Sequence, residues 1–286
     1  MQNKLLILLR EIICKPYTMK KKRIQSKNLT RSITKHNIMR IIISIFIISV
    51  VFSLASCGPS QKEKEEKAKN DSIATADSIF NTKFVKDVDN NIYPIVKIGK
   101  QTWMAENLKV SRFNNGDSIP NINSIKDLDW EKSKSKIACC VYKNNDDNLK
   151  KYGRLYNYNT VKDVRSLAPK GWRVPTEKDW EELINFLGGY KLAGLKLKSQ
   201  DGWSNKNNGS NESGFNGLPG GIWSVSGNGE FTYLSEYGAW WTVTNCDKDH
   251  GFYFLLSSKN NELYKSECWQ SDPRRCMSVR CIKDEK

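Results

Sequence analysis

Histidine is the side chain from which hydrolytic chemistry would most easily start, and this 286-residue chain has two of them. A zinc site built on several imidazoles is therefore excluded, because His250 is the only histidine beyond the N-terminal segment. A Ser–His–acid triad would have to use His250 alone. Its setting, Asp-Lys-Asp-His-Gly, is more typical of a solvated surface loop.

Clustered carboxylates offer a second route to hydrolysis, because glycosidases work with paired acids. Four acidic residues crowd one short segment: Glu177, Asp179, Glu181 and Glu182. Thr176 before them is a good helix N-cap, and Asp179 stands where a capping box needs an acid. Acids in a first turn also complement the helix dipole. We therefore interpret the cluster as a helix start.

Cysteine usage favours a disulfide scaffold. Cys14 lies in the N-terminal segment, and Cys57 is assigned below to lipidation. An even number of cysteines remains, and these are the candidate disulfide residues: Cys139, Cys140, Cys246, Cys268, Cys276 and Cys281. In an oxidising compartment such a set forms bridges, but the sequence does not choose among the many pairings.

Tryptophan is the residue type best suited to binding a ligand here, because the electron-rich face of an indole attracts sugar C–H groups. Candidate ligand-binding residues near Gly- and Asn-rich loops are Trp203, Trp223, Trp240, Trp241 and Trp269. Each can equally belong to the core. Trp240 and Trp241 point to opposite faces of one predicted strand, so we expect one of them to be buried.

Metal binding has weak support in the sequence. The run Asn-Asn-Asp-Asp-Asn at 144–148 carries oxygen ligands that suit calcium. It fits no established calcium-loop spacing, and a solvated turn accounts for it. We therefore predict no cofactor and no metal site, with calcium as the open alternative.

The N-terminal segment resembles a lipoprotein signal. Residues 1–56 contain eleven basic side chains and one acid, and they end in a 16-residue apolar run, 41–56. That run is shorter than the roughly 20 residues of a spanning helix. It ends in Leu-Ala-Ser-Cys, which looks like a lipobox with Cys57 as the lipidated residue. A plain transmembrane anchor is the alternative, and Met1, Met19 and Met39 are alternative starts.

Most of the formal charge of +15 lies in this predicted signal peptide, which leaves a mature chain from Cys57 that is only weakly basic. Nucleic acid is therefore not an expected partner. We expect attachment to a membrane through the lipid on Cys57. The predicted location is the outer membrane, on its surface or periplasmic face.

Three segments follow from composition. Residues 1–56 are the signal peptide, and residues 57–83, rich in Lys, Glu and Ala, are predicted to form a flexible charged tether. A short helix over 62–80 is the alternative for the tether. Residues 84–286 form the folded domain.

The folded domain has one clear helix signal and many short strands. Trp180, Leu183, Ile184 and Leu187 form one apolar helix face after Thr176, and Gly188 ends it. The branched and aromatic content of Ile92–Ile98 predicts a strand. Gly99-Lys100 suits a two-residue hairpin turn after it. Short aromatic strands broken by glycine follow. The pattern predicts an α+β fold with small antiparallel sheets and long loops.

Five ordered segments resemble the Fibrobacter succinogenes major paralogous domain, found in secreted and lipid-anchored proteins of Bacteroidetes and Fibrobacteres. They begin at Val96 (VKIGKQTWMAENL), Gly153 (GRLYNY), Gly171 (GWRVPTEKDWEEL), Gly214 (GFNGLPGG, with the later WWT at Trp240) and Ser278 (SVRCIKD). The resemblance covers about residues 84–284.

That family implies no established activity. Its RVPTE segment and closing VRC strand also resemble formylglycine-generating sulfatase modifiers and, more distantly, C-type lectin-like domains. The implied fold is a C-type lectin-like α+β domain. The modifying enzymes hold copper on a cysteine pair, and the gap between Cys276 and Cys281 is like theirs. However, the catalytic loop ahead of that pair has no counterpart here.

The resemblance also bears on one disulfide. The family often carries a cysteine before Pro-x-Gly-Trp that could pair with the closing cysteine. Ala168 stands at that place here, which leaves Cys139 or Cys140 as substitutes.

We therefore expect a lipid-anchored envelope or surface protein whose lectin-like domain binds a glycan or a protein and is not an enzyme. A divergent formylglycine-generating oxidoreductase and a structural envelope component are the alternatives.

Overall fold

The computed structural model describes residues 60–122, 136–224, 229–270 and 272–285, together with Ser44. Cys57 and, apart from Ser44, the predicted signal peptide lie outside these residues. None of the helices in the described part of the chain is long and apolar enough to cross a membrane. The chain divides into two compact units, Met1–Ala68 and Lys69–Lys286.

Five α-helices occur among the described residues, where the sequence predicted one clear helix. They are α1 (Gln61–Asn81), α2 (Asp146–Tyr152), α3 (Tyr158–Val161), α4 (Glu177–Leu187) and α5 (Tyr190–Leu197). Short 3-10 turns cover Tyr142–Asn144, Ser204–Lys206 and Cys268–Gln270. The extra helices escaped the sequence analysis because most are short and lack a long apolar period.

Helix α1 replaces most of the predicted flexible tether. It runs for 21 residues with no buried side chain. Its first turn is capped reciprocally, because Ser60 Oγ accepts from the Glu63 amide and the Glu63 carboxylate accepts from the Ser60 amide. The prediction of a flexible chain is wrong for these residues, and the alternative of a helix, favoured by Lys, Glu and Ala, is correct.

The strands are short and form two sheets. In chain order they are β1 (Phe84–Lys86), β2 (Ile92–Ile98), β3 (Gln101–Met104), β4 (Cys139–Cys140), β5 (Leu155–Asn157), β6 (Trp172–Arg173), β7 (Gly220–Ser224), β8 (Glu230–Leu234), β9 (Tyr237–Asn245), β10 (Gly251–Ser257), β11 (Leu263–Lys265), β12 (Cys276–Ser278) and β13 (Ile282–Lys283).

The first sheet has the order β1-β2-β3-β13-β6. The second has the order β11-β10-β9-β12-β5-β4, with β7 pairing both β12 and β8. Pairing is antiparallel except between β12 and β9, where Ser278 lies opposite Trp240 in parallel register. The predicted α+β class with small antiparallel sheets is confirmed, whereas the resemblance to C-type lectins stays a prediction.

The β2–β3 hairpin forms as the sequence predicts. Ile98 pairs with Gln101, so Gly99 and Lys100 are the two loop residues. Gly99 has a φ of 62°, a conformation that glycine adopts without the steric cost of a Cβ. The turn matches the right-handed twist of its strands and fixes their register.

Helix α4 confirms the predicted cap and apolar face. The Thr176 hydroxyl accepts from the Asp179 amide, and the Asp179 carboxylate accepts from the Thr176 amide. Trp180, Leu183 and Ile184 are buried on the face that packs into the core. Gly188 ends the helix with a φ of 100°.

The second sheet has packed apolar residues on both faces. Trp241 belongs to a cluster with Tyr158 and Met277, whereas its neighbour Trp240 belongs to another with Trp180 and Phe254. Because successive side chains of a strand point to opposite faces, both tryptophans are buried. Our expectation of one buried tryptophan in this pair assumed a solvated face that the sheet does not have.

Candidate functional site

Four of the five candidate tryptophans lie in the core. Trp203 is 5% exposed, Trp223 1%, and Trp240 and Trp241 are fully buried. The Trp240 indole N–H donates to Asn107 Oδ1 (2.8 Å), and that of Trp241 donates to the Tyr156 carbonyl (2.8 Å). The prediction that these four rings face a ligand is therefore wrong, because protein atoms cover both their faces.

Trp269 is the fifth candidate. Its backbone lies in the 3-10 turn Cys268–Gln270, and its side chain lies outside the described residues. The role of Trp269 as a ligand contact stays a prediction.

One disulfide forms among the six candidate cysteines. Cys246 and Cys268 are bonded, with Cα atoms 5.7 Å apart, inside the usual range for a disulfide. The other four are thiols and buried: Cys139, Cys140, Cys276 and Cys281. The six candidates therefore include one bridge, and the substitution of Cys139 or Cys140 as partner of Cys281 is wrong.

Burial raises the pKa of two of these thiols. It raises the pKa of Cys139 to about 12 and holds that of Cys281 well above the ordinary thiol range. A thiol held protonated is a poor nucleophile and a poor metal ligand.

The copper-type cysteine pair is not assembled. Cys276 packs in a cluster with Cys140 and Trp223, whereas Cys281 packs in a separate cluster with Val174 and Met277. A shared metal would need both sulfurs on one side of one site. This arrangement argues against the hypothesis that the protein is a divergent formylglycine-generating oxidoreductase.

His250 is paired with one carboxylate. Its Nδ1 lies 2.8 Å from Asp247 Oδ1, in an exposed loop. Among the described residues, no serine or threonine hydroxyl is a hydrogen-bond partner of this imidazole, so it forms no catalytic triad there.

Three of the four acids of α4 have structural contacts. Asp179 accepts from both terminal nitrogens of Arg173 (2.6 and 2.8 Å) and caps the helix. Glu177 pairs with Lys265, and Glu181 accepts from the Tyr190 hydroxyl at 2.6 Å. These contacts favour the helix-start interpretation over a glycosidase pair.

The calcium candidate is also a helix start. Asn145 caps α2 by accepting from the amides of Asp147 and Asn148 (2.8 and 3.1 Å). Within the described part of the chain, the one Cys, His, Asp and Glu group with metal-site spacing is Cys246, Asp247 and Cys268. Its two sulfurs are joined to each other, which takes away their capacity to ligate.

A groove of about 660 Å³ lies beside the first sheet and is the strongest candidate site. We call it the aromatic groove. It is lined by the C-terminal turn of α1, by β1, by Ile92 of β2, by the segment that leads into β6, and by Lys283 of β13. Its aromatic residues are Phe80, Phe84 and Trp172. Each is partly exposed, so each offers ring surface to a ligand.

Strand pairing positions these side chains. Trp172 in β6 lies directly opposite Lys283 in β13, and Lys86 in β1 lies opposite Ile92 in β2. β1 and β6 are the two ends of the five-stranded sheet, yet both line the groove. Since one groove contacts both ends, the sheet must curl, as strand twist favours.

The apolar floor of the groove is continuous. The Phe80 and Phe84 rings lie 5.4 Å apart and tilted by 32°. Ile92 is 51% exposed, which is unusual for a strand isoleucine, and Val85 beside it is buried. Exposed aliphatic and aromatic surface gathered in one concavity is typical of a binding site.

Sequence reasoning missed this site. Trp172 was noted as part of a motif and not as a ligand contact, because nothing in the sequence sets it apart from the buried tryptophans. Phe80 and Phe84 stand near the junction of the predicted tether and domain. The signal that pointed this way was the run Ser-Ile-Phe at 78–80, which is apolar at the end of a charged segment.

Other cavities lack this combination. One of about 350 Å³ contains His250, Arg274 and Asp272, but Arg274 is already paired with Asp272 at 2.7 Å. Another of about 540 Å³ lies beside Phe186, between the β2–β3 turn and α4. The first has no Phe, Tyr or Trp in its lining, and the second has one such ring, Phe186, and one cation, Lys100.

Comparison with known proteins assigns a family. Residues 96–283, more than half of the chain, match the family described as the Fibrobacter succinogenes major domain. No curated protein and no solved structure matches the chain. Membership of the family suggests a surface protein and defines no activity. The matched region contains Trp172 and Lys283, whereas Phe80, Phe84 and Lys86 precede it. The chain therefore belongs to the Fibrobacter succinogenes major domain family.

Proposed function

We propose that this protein is a lipid-anchored component of the outer membrane whose folded domain binds a saccharide in the aromatic groove without transforming it. The observation that carries the proposal is the partly exposed Trp172 ring, set in one concavity with Phe80 and Phe84. An indole face attracts the positively polarised C–H groups of a sugar ring.

The size of the groove favours a short saccharide over a protein. Small-molecule sites typically enclose roughly 300–1,000 Å³, and about 660 Å³ falls inside that range. A stable protein partner would need about 800 Å² of surface on each side. The sequence left glycan and protein open, and the groove supports the glycan.

The anchor is supported by the sequence. The basic segment, the apolar run 41–56 and Cys57 form the pattern of a lipidated signal. Helix α1 would then hold the domain off the membrane, since 21 helical residues extend about 30 Å. Capped and free of buried side chains, α1 has the features of an exposed spacer.

The absence of catalysis is supported by where the reactive residues lie. Cys276 and Cys281 occupy separate core clusters, His250 is hydrogen-bonded to Asp247, and Glu177 and Asp179 of α4 are in ion pairs. A purely structural envelope component remains the alternative, and it predicts no saccharide binding.

Binding is tested with the purified protein on a panel of neutral and acidic saccharides. We expect retention on at least one saccharide and its loss in Trp172→Ala. The matched control is Tyr264→Ala, which removes a 44% exposed ring from β11, away from the groove. Thermal unfolding verifies that both variants are folded. No retention of the wild type, or equal loss in both variants, would contradict the proposal.

The anchor is tested separately. In cells fed labelled palmitate, the wild-type protein should carry the label and the Cys57→Ala variant should not. An unlabelled wild type would contradict lipidation.

A further inference from the structure

Three lysines surround the aromatic groove. Lys86, Lys170 and Lys283 line it and are exposed, and Asp77 is the one acid among its lining residues. Within the described residues none of the three lysines forms an ion pair. The lining residues of the groove therefore carry a net positive charge.

The lysines lie close to the surface on which a sugar would stack. Lys283 is the antiparallel partner of Trp172, and opposed residues in such a pair have Cβ atoms about 5 Å apart. Lys86 lies on the same face of β1 as Phe84, two residues away. Lys170 precedes Trp172 by two residues. Lys283 and Lys170 therefore lie near Trp172, and Lys86 near Phe84, within the lining of the same groove.

Two partly exposed cations elsewhere in the domain do have carboxylate partners. Arg165 pairs with Asp163 and Asp117 at 2.8 and 2.9 Å, and Lys265 pairs with Glu177. The three groove lysines have no such partner among the described residues, and around one aromatic concavity they form a charge arrangement that an anion would complete.

We propose that the saccharide bound in this groove is anionic, bearing carboxylate, sulfate or phosphate groups that contact Lys86, Lys170 and Lys283 while its rings stack on Trp172. This inference rests on the proposed function, because it names the class of saccharide for the same groove. The β1 segment that supplies Lys86 precedes the family match, whereas Lys170 and Lys283 lie inside it.

The test uses two matched pairs of saccharides that differ in charge alone or nearly so. The first pair is oligogalacturonate and its methyl ester, and the second is heparin and its desulfated, carboxyl-reduced form. Titration calorimetry on the full mature protein should show at least one acidic member binding about tenfold or more tighter than its neutral partner. That preference should shrink as added salt shortens the Debye length from about 14 Å to about 4 Å.

Substitutions separate recognition of charge by the lysines from saccharide binding by the aromatic rings. Replacing Lys86, Lys170 and Lys283 by glutamine should abolish the preference, so that the acidic and the neutral member bind the variant with equal affinity. The control replaces three exposed lysines outside the groove, Lys100, Lys178 and Lys191, which makes the same change in net charge. It should retain the preference.

The outcomes are distinguishable. Equal binding of acidic and neutral members by the wild type would overturn the anionic inference and leave the proposed function standing. The same preference in both triple variants would also overturn it, because the charge effect would then be unspecific. Binding of neither pair would overturn the inference, and failure across the whole saccharide panel would overturn the proposed function as well.

Discussion

Replacing Asp179 by asparagine perturbs the start of α4 at a single carboxylate. The Asp179 oxygens accept from two nitrogens of Arg173 (2.6 and 2.8 Å) and from the Thr176 amide (2.6 Å). The side chain is 14% exposed, so water replaces these contacts poorly. Asparagine keeps one acceptor oxygen but turns an amide toward the guanidinium, which removes the bidentate pair.

The structure sets the size of the effect. Loss of a cap costs about 1 kcal/mol, and hydrogen bonds to a charged group are worth about 1.5–3 kcal/mol. Arg173 is 37% exposed, so water solvates its guanidinium after the change. This solvation reduces the loss in the free energy of unfolding. We therefore expect a loss of about 2–3 kcal/mol in the free energy of unfolding. For a domain of this length that lowers Tm by about 4–12 °C.

The effect has a defined pH dependence. Burial raises the pKa of Asp179, but the hydrogen bonds from Arg173 and Thr176 outweigh it and hold the pKa below its ordinary value. A carboxylate with a lowered folded-state pKa stabilises the fold above its unfolded pKa of about 3.9. That stabilisation is lost as pH falls through the folded-state pKa. The difference between wild type and variant should therefore be constant from about pH 5 to 8 and narrow below about pH 4.

Urea unfolding at a series of pH values measures this difference. The matched control is Asp147→Asn, the same change in the first turn of α2, where the side chain is 89% exposed and its lysine partner is 77% exposed. Its expected cost is below about 0.5 kcal/mol. A loss in Asp179→Asn no larger than in the control, or one that persists unchanged at pH 3, would refute the reasoning.

Three further changes probe two buried side chains and the disulfide. Trp240→Ala should cost about 3–5 kcal/mol, measured by urea unfolding, because it leaves a cavity in the core and removes the hydrogen bond from the indole to Asn107. Breaking the Cys246–Cys268 bond with Cys246→Ser should cost about 3 kcal/mol, and a reducing agent should lower the Tm of the wild type and not that of the variant. Arg280→Lys should cost about 2–4 kcal/mol in thermal unfolding, because the buried guanidinium donates to Asn107 Oδ1 through Nε and Nη2 (3.1 and 2.6 Å). An unchanged stability in any of the three would contradict the packing described for it.

Local features could be predicted from the sequence because local rules fix them. The capping box of Thr176 and Asp179 and the hairpin at Gly99-Lys100 each depend on a few neighbouring residues. For α1, composition alone did not decide the structure, because the same Lys and Glu content suits a flexible chain and a capped helix. The Ser60–Glu63 cap favours the helix.

The site could not be predicted because it depends on tertiary packing. Whether Trp240 and Trp241 face water is decided by what covers each face of the second sheet, and both faces are covered. Phe84 and Trp172 lie far apart in the sequence and meet because the first sheet curls. The pairing of Cys246 with Cys268 likewise follows from β9, β10 and the loops beyond them.

The indole N–H signals of the nine tryptophans, followed by NMR during titration with oligogalacturonate and heparin oligosaccharide, test the central claim most directly. Comparison with Trp172→Phe assigns the signal of Trp172. We predict that this signal shifts with saturation as ligand is added, whereas those of Trp240 and Trp241 stay in place. A shift of Trp269 with Trp172 unmoved, or no shift in any indole signal, would contradict ligand binding in the aromatic groove.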